Sequence, residues 1–250
     1  MVSLIKLIEK GKIPSNQFMD LETLNWIKKN KPGFKLDNSF KFECKSSLDY
    51  ISEIERYIPK LEWFLVSKKT DTIHGMRHIL RTIFHSLLLV SLSKNPSKRL
   101  YKKSLVASSL HDLRRRTDLM DLNHGKRAAR WFKNNIKSIE DQFQIHFSQE
   151  DINDIHSAIF YHNVPYEKIE KTRDLEKKKL LIDILKTADA LDRYRLPSLR
   201  LWFKDKYVSI VPSEDLKFTA YNLVIKSEAM FLNGLSNVNS VLRAIEEVCQ

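Results

Sequence analysis

The sequence predicts an all-α protein, and three observations carry that reading. Glycine and proline number only 5 and 7 in 250 residues, where average usage of roughly 7% and 5% would give about 30. So few turn-formers favour long helices over a sandwich or barrel of many short strands. Apolar residues recur at helical spacing along most of the chain. No repeat or low-complexity tract interrupts them. With 42% hydrophobic and 30% charged residues, the chain can bury a core as one large domain.

The elements follow in order. The opening MVSLIKLIEKGK reads as an amphipathic helix; Lys6 and Glu9 break its apolar run, which is too short for a signal peptide. Residues 17–30 read as a helix with Asp20 as cap, ended by Pro32-Gly33. Residues 47–66 give a second pattern, kinked or broken before Pro59. Further helices are expected over 75–92, 102–113, 124–138, 149–162 and 176–194, with Pro197 beyond the last. The patterns at 213–231 and 236–248 are separated by Asn233-Gly234. A weak strand pair is read around 206–211. No window reaches 18 uninterrupted apolar residues, because Arg81 and His85 break the most apolar stretch, so no membrane span is expected. Two cysteines, Cys44 and Cys249, make neither a disulfide framework nor a metal spacing, which favours a reduced, cytoplasmic chain.

The five glycines are far apart, which excludes a P-loop, a Rossmann fingerprint and a kinase glycine-rich loop. Yet the chain carries a formal charge of +12, and residues 94–137 alone contribute +10. That stretch is either a solvated face or a positive field for a polyanionic ligand, a nucleotide or a nucleic acid. Any phosphate bound here is held by a device other than glycine-loop amides.

Histidine and aspartate supply a candidate device at five places. They are His78 in IHGMRHILR, the adjacent pair His111-Asp112 in LVASSLHD, His124 in DLNHGKRAA, His162 in AIFYHN, and Asp189 in KTADALDRYR. Imidazole nitrogen and carboxylate oxygen together suit Mn, Fe, Ni, Co or Zn, and Mg less well. Each residue alone has a plainer reading as a satisfied core group. A carboxylate directly after an apolar stretch, as at Asp112 and Asp189, is costly unless paired or metal-bound. For Asp189 a partner such as Arg193 would also serve.

The order H…HD…H…H…D on successive helices resembles the HD-domain superfamily of metal-dependent phosphohydrolases, over about residues 71–196. His78 and Arg81 match the family's H-x-x-R; His111 and Asp112 match its name-giving doublet; Asp189 matches the last ligand, within A-D-x-L-D. His124 and His162 match the extra histidines of two-metal members. The resemblance implies a helical bundle at 71–200 flanked by helical extensions at 1–70 and 201–250. It implies a binuclear centre bridged by Asp112, with His111 and Asp112 at the catalytic heart. Two divalent ions would activate water and neutralise a phosphoryl oxygen. The doublet is followed by LRRRTD rather than Ile-Gly-Lys, and His162 by Asn163-Val164-Pro165. These departures weigh against cyclic-dinucleotide substrates and leave nucleotides or dinucleoside polyphosphates closer.

Arg114, Arg115, Arg116, Lys126 and Arg127 lie within five residues of an implied ligand, so they are the candidates for contacting phosphate, with Lys126 favoured. Their plainer reading is as exposed ion-pair partners. Arg81 is expected to pair with a core carboxylate such as Asp192. His74, His78 and His85, spaced by four and seven, are read as sharing one helical face. His74 would then sit at the rim, supporting a ligand or protonating a leaving group, while His85 packs. Asp118 and Asp121 are read as carboxylates supporting His124, or as acid caps. His146 and His156 are read as incidental.

A phosphohydrolase acting on a nucleotide or related phosphoester is the leading expectation. A single-strand nuclease using Tyr101, Trp131 and Phe132 for stacking is a second. A di-iron oxygenase and a non-catalytic binding module remain further alternatives, and the oligomeric state, a homo-oligomer included, is open.

Overall fold

The computed structural model describes residues 2–36, 47–169 and 172–249. Cys44 lies outside them. The described residues form helices α1 (Leu4–Glu9), α2 (Leu21–Lys29), α3 (Ser47–Arg56), α4 (Met76–Ser91) and α5 (Lys98–Leu110). There follow α6 (His124–Asn134), α7 (Ile136–Phe143), α8 (Gln149–Tyr161), α9 (Arg173–Leu191), α10 (Glu214–Leu232) and α11 (Asn237–Val248), with short 3-10 turns between. No strand occurs among the described residues, so the fold is all-α.

Side-chain caps set most helix starts. Asp20 accepts the Thr23 amide at 2.8 Å, as its position implies. Ser97 accepts that of Leu100, so α5 begins four residues before the amphipathic pattern does; Lys98 and Arg99 of its first turn are exposed while Leu100 is buried. Ser148 and Asp151 form a reciprocal capping box ahead of α8. The segment expected over 124–138 is two helices broken at Asn135. Helix α3 stops at Arg56, ahead of Pro59, and Leu61–Trp63 is a 3-10 turn rather than a continuation. The expected strand pair at 206–211 is instead a 3-10 turn at Asp205–Tyr207 followed by irregular chain.

Helix α4 is the axle. Every residue from Met76 to Val90 is buried, because α4 packs against α3, α5, α9 and α11 on different sides. Helices α5, α8 and α9 pack on one another, and α6 lies across α8. At the other flank α10 and α11 pair, α11 against α4 and α10 against α2, which brings the two ends of the chain together. No helix is long and apolar enough to cross a membrane among the described residues.

Two glycines permit close approaches that place the site. A Cβ at Gly75 would lie 2.2 Å from the Thr70 carbonyl oxygen, where the chain enters α4. One at Gly125 would lie 2.6 Å from Asn163 Oδ1 and 2.9 Å from the Ile159 carbonyl oxygen, so only glycine lets α6 lie this close to α8.

Candidate metal centre

Helix ends deliver the cluster. His78 stands in the first turn of α4, His111 caps the C-terminus of α5 with Asp112 beside it, and His124 opens α6. His162 caps α8, and Asp189 lies in the last turn of α9. The sequence spreads these six residues over more than a hundred positions, and the fold brings them together. His78, His111 and Asp112 form one group, and Asp112, His124 and His162 a second, with the donor atoms in each within 4.8 Å of one another. Asp112 belongs to both. Asp189 joins through Oδ1, 3.4 Å from His78 Nε2.

Each imidazole is held from behind. His78 Nδ1 meets Asp192 Oδ2 at 2.7 Å, His111 Nδ1 the Ser108 carbonyl at 2.8 Å, and His162 Nδ1 the Ile159 carbonyl at 2.7 Å. His124 Nδ1 meets the Asp121 carbonyl. A carbonyl oxygen only accepts, so His111, His124 and His162 carry a proton on Nδ1, and all four rings turn Nε2 inward. Those atoms face one another: His78 and His111 approach Nε2 to Nε2 at 3.2 Å, His124 and His162 at 2.8 Å. Asp112 Oδ1 lies 3.0 Å from His124 Nε2 and 3.6 Å from His162 Nε2. Arg115 Nη1 offers a donor to His124 Nε2 at 3.3 Å. Acceptors otherwise meet acceptors, which a cation between them would resolve.

Protons serve poorly as that cation. Burial drives His111 down to about 3 and depresses His162 below its ordinary value. For Asp112 burial acts upward, but Arg115 and the imidazoles of His124 and His111 outweigh it and hold the carboxyl well below the usual range. Asp189 is likewise lowered against burial by His78, Arg195 and His111. Neutral imidazoles and ionised carboxylates are the forms that bind divalent transition metals.

The other sequence candidates separate. Arg115 is at the centre, with Nη1 3.5 Å from Asp112 Oδ2 and the guanidinium anchored on the Thr117 and Leu119 carbonyls. Arg114 turns away, donating to the Trp63 carbonyl at 2.9 Å and covering the Trp131 ring. Arg127 is spent on the Arg114 carbonyl and Asp121. Arg116 is exposed, its amide bonded to Asp121. Lys126 is exposed, without a hydrogen-bond or ion-pair partner among the described residues; two residues are about 200° of helix, so it leaves α6 on the face turned from His124.

His74 precedes α4 instead of lying on it, so it does not share a helical face with His78 and His85. It reaches the rim another way, with its ring centroid 5.9 Å from that of His78 and Nδ1 3.2 Å from Asp118 Oδ1. Asp118 therefore supports His74 rather than His124, and its carboxylate also accepts from the Gln17 amide, Thr72 and Lys69. Asp121 does support His124, through its carbonyl rather than its carboxylate. His85 is fully buried with both ring nitrogens unpartnered, and burial lowers it to about 4. His146 is exposed beside Glu140, and His156 stacks on Phe160.

Part of the basic excess is neutralised internally: Arg99 pairs with Glu150 and Asp151, and Lys103 with Asp154, all on α8. Phe132 is wholly buried, which removes one of the three aromatics expected to stack on bases; Trp131 packs on Trp63 but stays half-buried.

The sequence reading missed several contributors. Lys186 donates to the carbonyls of Tyr161, His162 and Val164, capping α8 where it presents His162, and burial brings its ammonium down to about 8. Asp192 was visible as a partner for Arg81, to which it binds at 2.6 Å, but not as the acceptor that orients His78. Its place three residues after Asp189 on a helix was the available signal. Arg195, which donates to the Ile73 carbonyl, and Glu228 on α10 gave none.

Comparison of the chain with protein-family models, with curated proteins and with solved structures finds no match.

Proposed function

We propose that this protein is a metal-dependent phosphohydrolase of the HD type, acting on a nucleotide or related phosphoester. One observation carries the reading: four buried imidazoles turn their Nε2 atoms toward one another around Asp112, which two ligand groups share. The donor set of nitrogen and carboxylate oxygen fits Mn, Fe, Ni or Co, and admits Zn or Mg. His78, His111, Asp112 and Asp189 would hold one ion, and Asp112, His124 and His162 a second. Bound there, such ions supply Lewis-acid polarisation of a phosphoryl oxygen and water of lowered pKa.

The chain's own groups provide the rest. Arg115 places a fixed guanidinium beside Asp112, where it can receive an anionic substrate oxygen. Asp189, His74 and Arg115 are the members of the assembly whose side chains retain partial exposure, 21%, 11% and 11%, so substrate enters between them. His74, held by Asp118 through Nδ1, directs Nε2 away from that carboxylate; burial, with Arg115 and Arg195, holds it well below the ordinary imidazole value, so that it can accept a proton there.

Purified wild-type protein, His111→Ala and Asp112→Ala should be compared for metal content and for hydrolysis of a nucleotide and oligonucleotide panel. Metal-dependent phosphate release by the wild type alone supports the proposal. No release across the panel overturns it. Iron with oxygen consumption and no phosphate release would mark the oxygenase alternative instead.

A further inference from the structure

Helix α10 lies in the C-terminal part of the chain, outside the stretch that carries the HD-like residue order, yet it reaches the metal ligands through an unbroken line of buried charges. Glu228 Oε1 accepts from Arg81 Nη1 at 2.7 Å, and Arg81 Nε donates to Asp192 Oδ1 at 2.6 Å. Asp192 Oδ2 then lies 2.7 Å from His78 Nδ1. His78, Arg81 and Asp192 are 0% exposed and Glu228 1%, so solvent screens none of these contacts. We infer that Glu228 is a positioning residue for the metal centre, setting through Arg81 and Asp192 how strongly His78 binds a metal ion.

Arg81 divides its donors between two carboxylates: Nη1 serves Glu228, while Nε and Nη2 serve Asp192, Nη2 reaching Oδ2 at 3.2 Å. Arg195 adds a second cation 3.4 Å from the same Oδ2. Glu228 draws positive charge away from Asp192 and leaves Oδ2 free to accept from His78. Without it, two guanidinium groups bear on Asp192 alone, its hold on the imidazole proton weakens, and Nε2 becomes a poorer donor to a metal.

The same carboxylate provides a control. Glu228 Oε2 binds Arg77, with Nη2 at 2.9 Å, and Arg77 stacks on Phe231 without touching Asp192. Arg77→Met breaks an equally buried ion pair but leaves the line to His78 intact. It therefore reports simple loss of packing between α4 and α10.

The inference rests on the metal-centre reading, so the test has two arms. In the first, Co2+ is titrated into metal-free protein. Glu228→Gln should bind the ion roughly tenfold more weakly than wild type, with an altered cobalt d–d spectrum, and Arg77→Met within about twofold. Glu228→Asp keeps the charge and serves if the Gln variant does not fold; withdrawn by one methylene, it should weaken binding at least about threefold. In the second arm, the low-field Nδ1–H proton resonance of His78 is followed in metal-free protein. It should move in Glu228→Gln and stay in Arg77→Met. Unchanged cobalt affinity and resonance in Glu228→Gln, or equal changes in both variants, overturn the inference. A wild type that binds no cobalt defeats the metal-centre reading instead, and the resonance still decides the relay.

Discussion

His124 and His162 face each other with their Nε2 atoms 2.8 Å apart, while each Nδ1 is tied to a main-chain carbonyl. That arrangement commits both Nδ1 atoms to the backbone and leaves the two Nε2 atoms as the inward-facing pair. Asp112 Oδ1, close to both, adds negative charge to the locus. The geometry is one that could hold a cation.

Asp112 is shared by both ligand groups, so its removal should harm both sites. Asp112→Ala is expected to bind less than half the metal of wild type, while His162→Ala loses one of the two groups. Elemental analysis after dialysis against excess Mn2+ checks this. Equal metal content in Asp112→Ala and wild type would refute the bridging role.

Arg115 and Lys126 should behave oppositely. Arg115→Ala should lower kcat/KM by about a hundredfold, as for loss of a charge-stabilising donor, with metal content retained. Lys126→Ala should stay within about twofold, since that side chain points away from His124. Steady-state kinetics on the best substrate of the hydrolysis panel decides between the two cations.

Gly125 lets α6 approach α8. In Gly125→Ala the new methyl would meet Asn163 Oδ1 at 2.6 Å and the Ile159 carbonyl at 2.9 Å. Overpacking of this kind costs about 1–3 kcal/mol, and relief by separating α6 from α8 would draw His124 from His162. Denaturant melts and metal titration should both show the loss. An unaltered metal affinity would mean that the pair tolerates a looser seat.

His85 should make the protein acid-sensitive. Its folded-state pKa is lowered to about 4 by burial, against 6.5 for the free imidazole. The unfolded chain therefore binds the proton first, and the stabilisation from a neutral His85 is complete above 6.5 and lost progressively as pH falls toward 4. The full effect is on the order of 3 kcal/mol. Metal-free His85→Leu should lose less stability than metal-free wild type between pH 7 and 4.5; equal losses would contradict this.

Much of the architecture was legible because helices announce themselves locally. The periodic patterns, the Asp20 cap and the break before Pro59 all depend on neighbours in sequence. The expected strands at 206–211 failed because a short apolar run without a pairing partner settles into turns. That His78, His111, Asp112, His124 and His162 lie together was legible because such residue types are costly in apolar stretches. The cations were not. Arg114, Arg115 and Arg116 are adjacent and chemically identical, yet Arg115 alone meets Asp112 and His124, while Arg114 finds Trp63 and Trp131. Which way each side chain turns depends on packing between distant segments. The same holds for Glu228, whose significance comes from α10 lying against α4.

The central claim is that the inward Nε2 atoms and Asp112 bind divalent metal. Its most direct test is isothermal titration of metal-free wild-type protein with Mn2+ at neutral pH, with the His111→Ala/His124→Ala double variant alongside. Saturable binding approaching two ions per wild-type chain, lost in the double variant, is the expected result. No saturable binding by the wild type, or equal binding by the double variant, would contradict the claim.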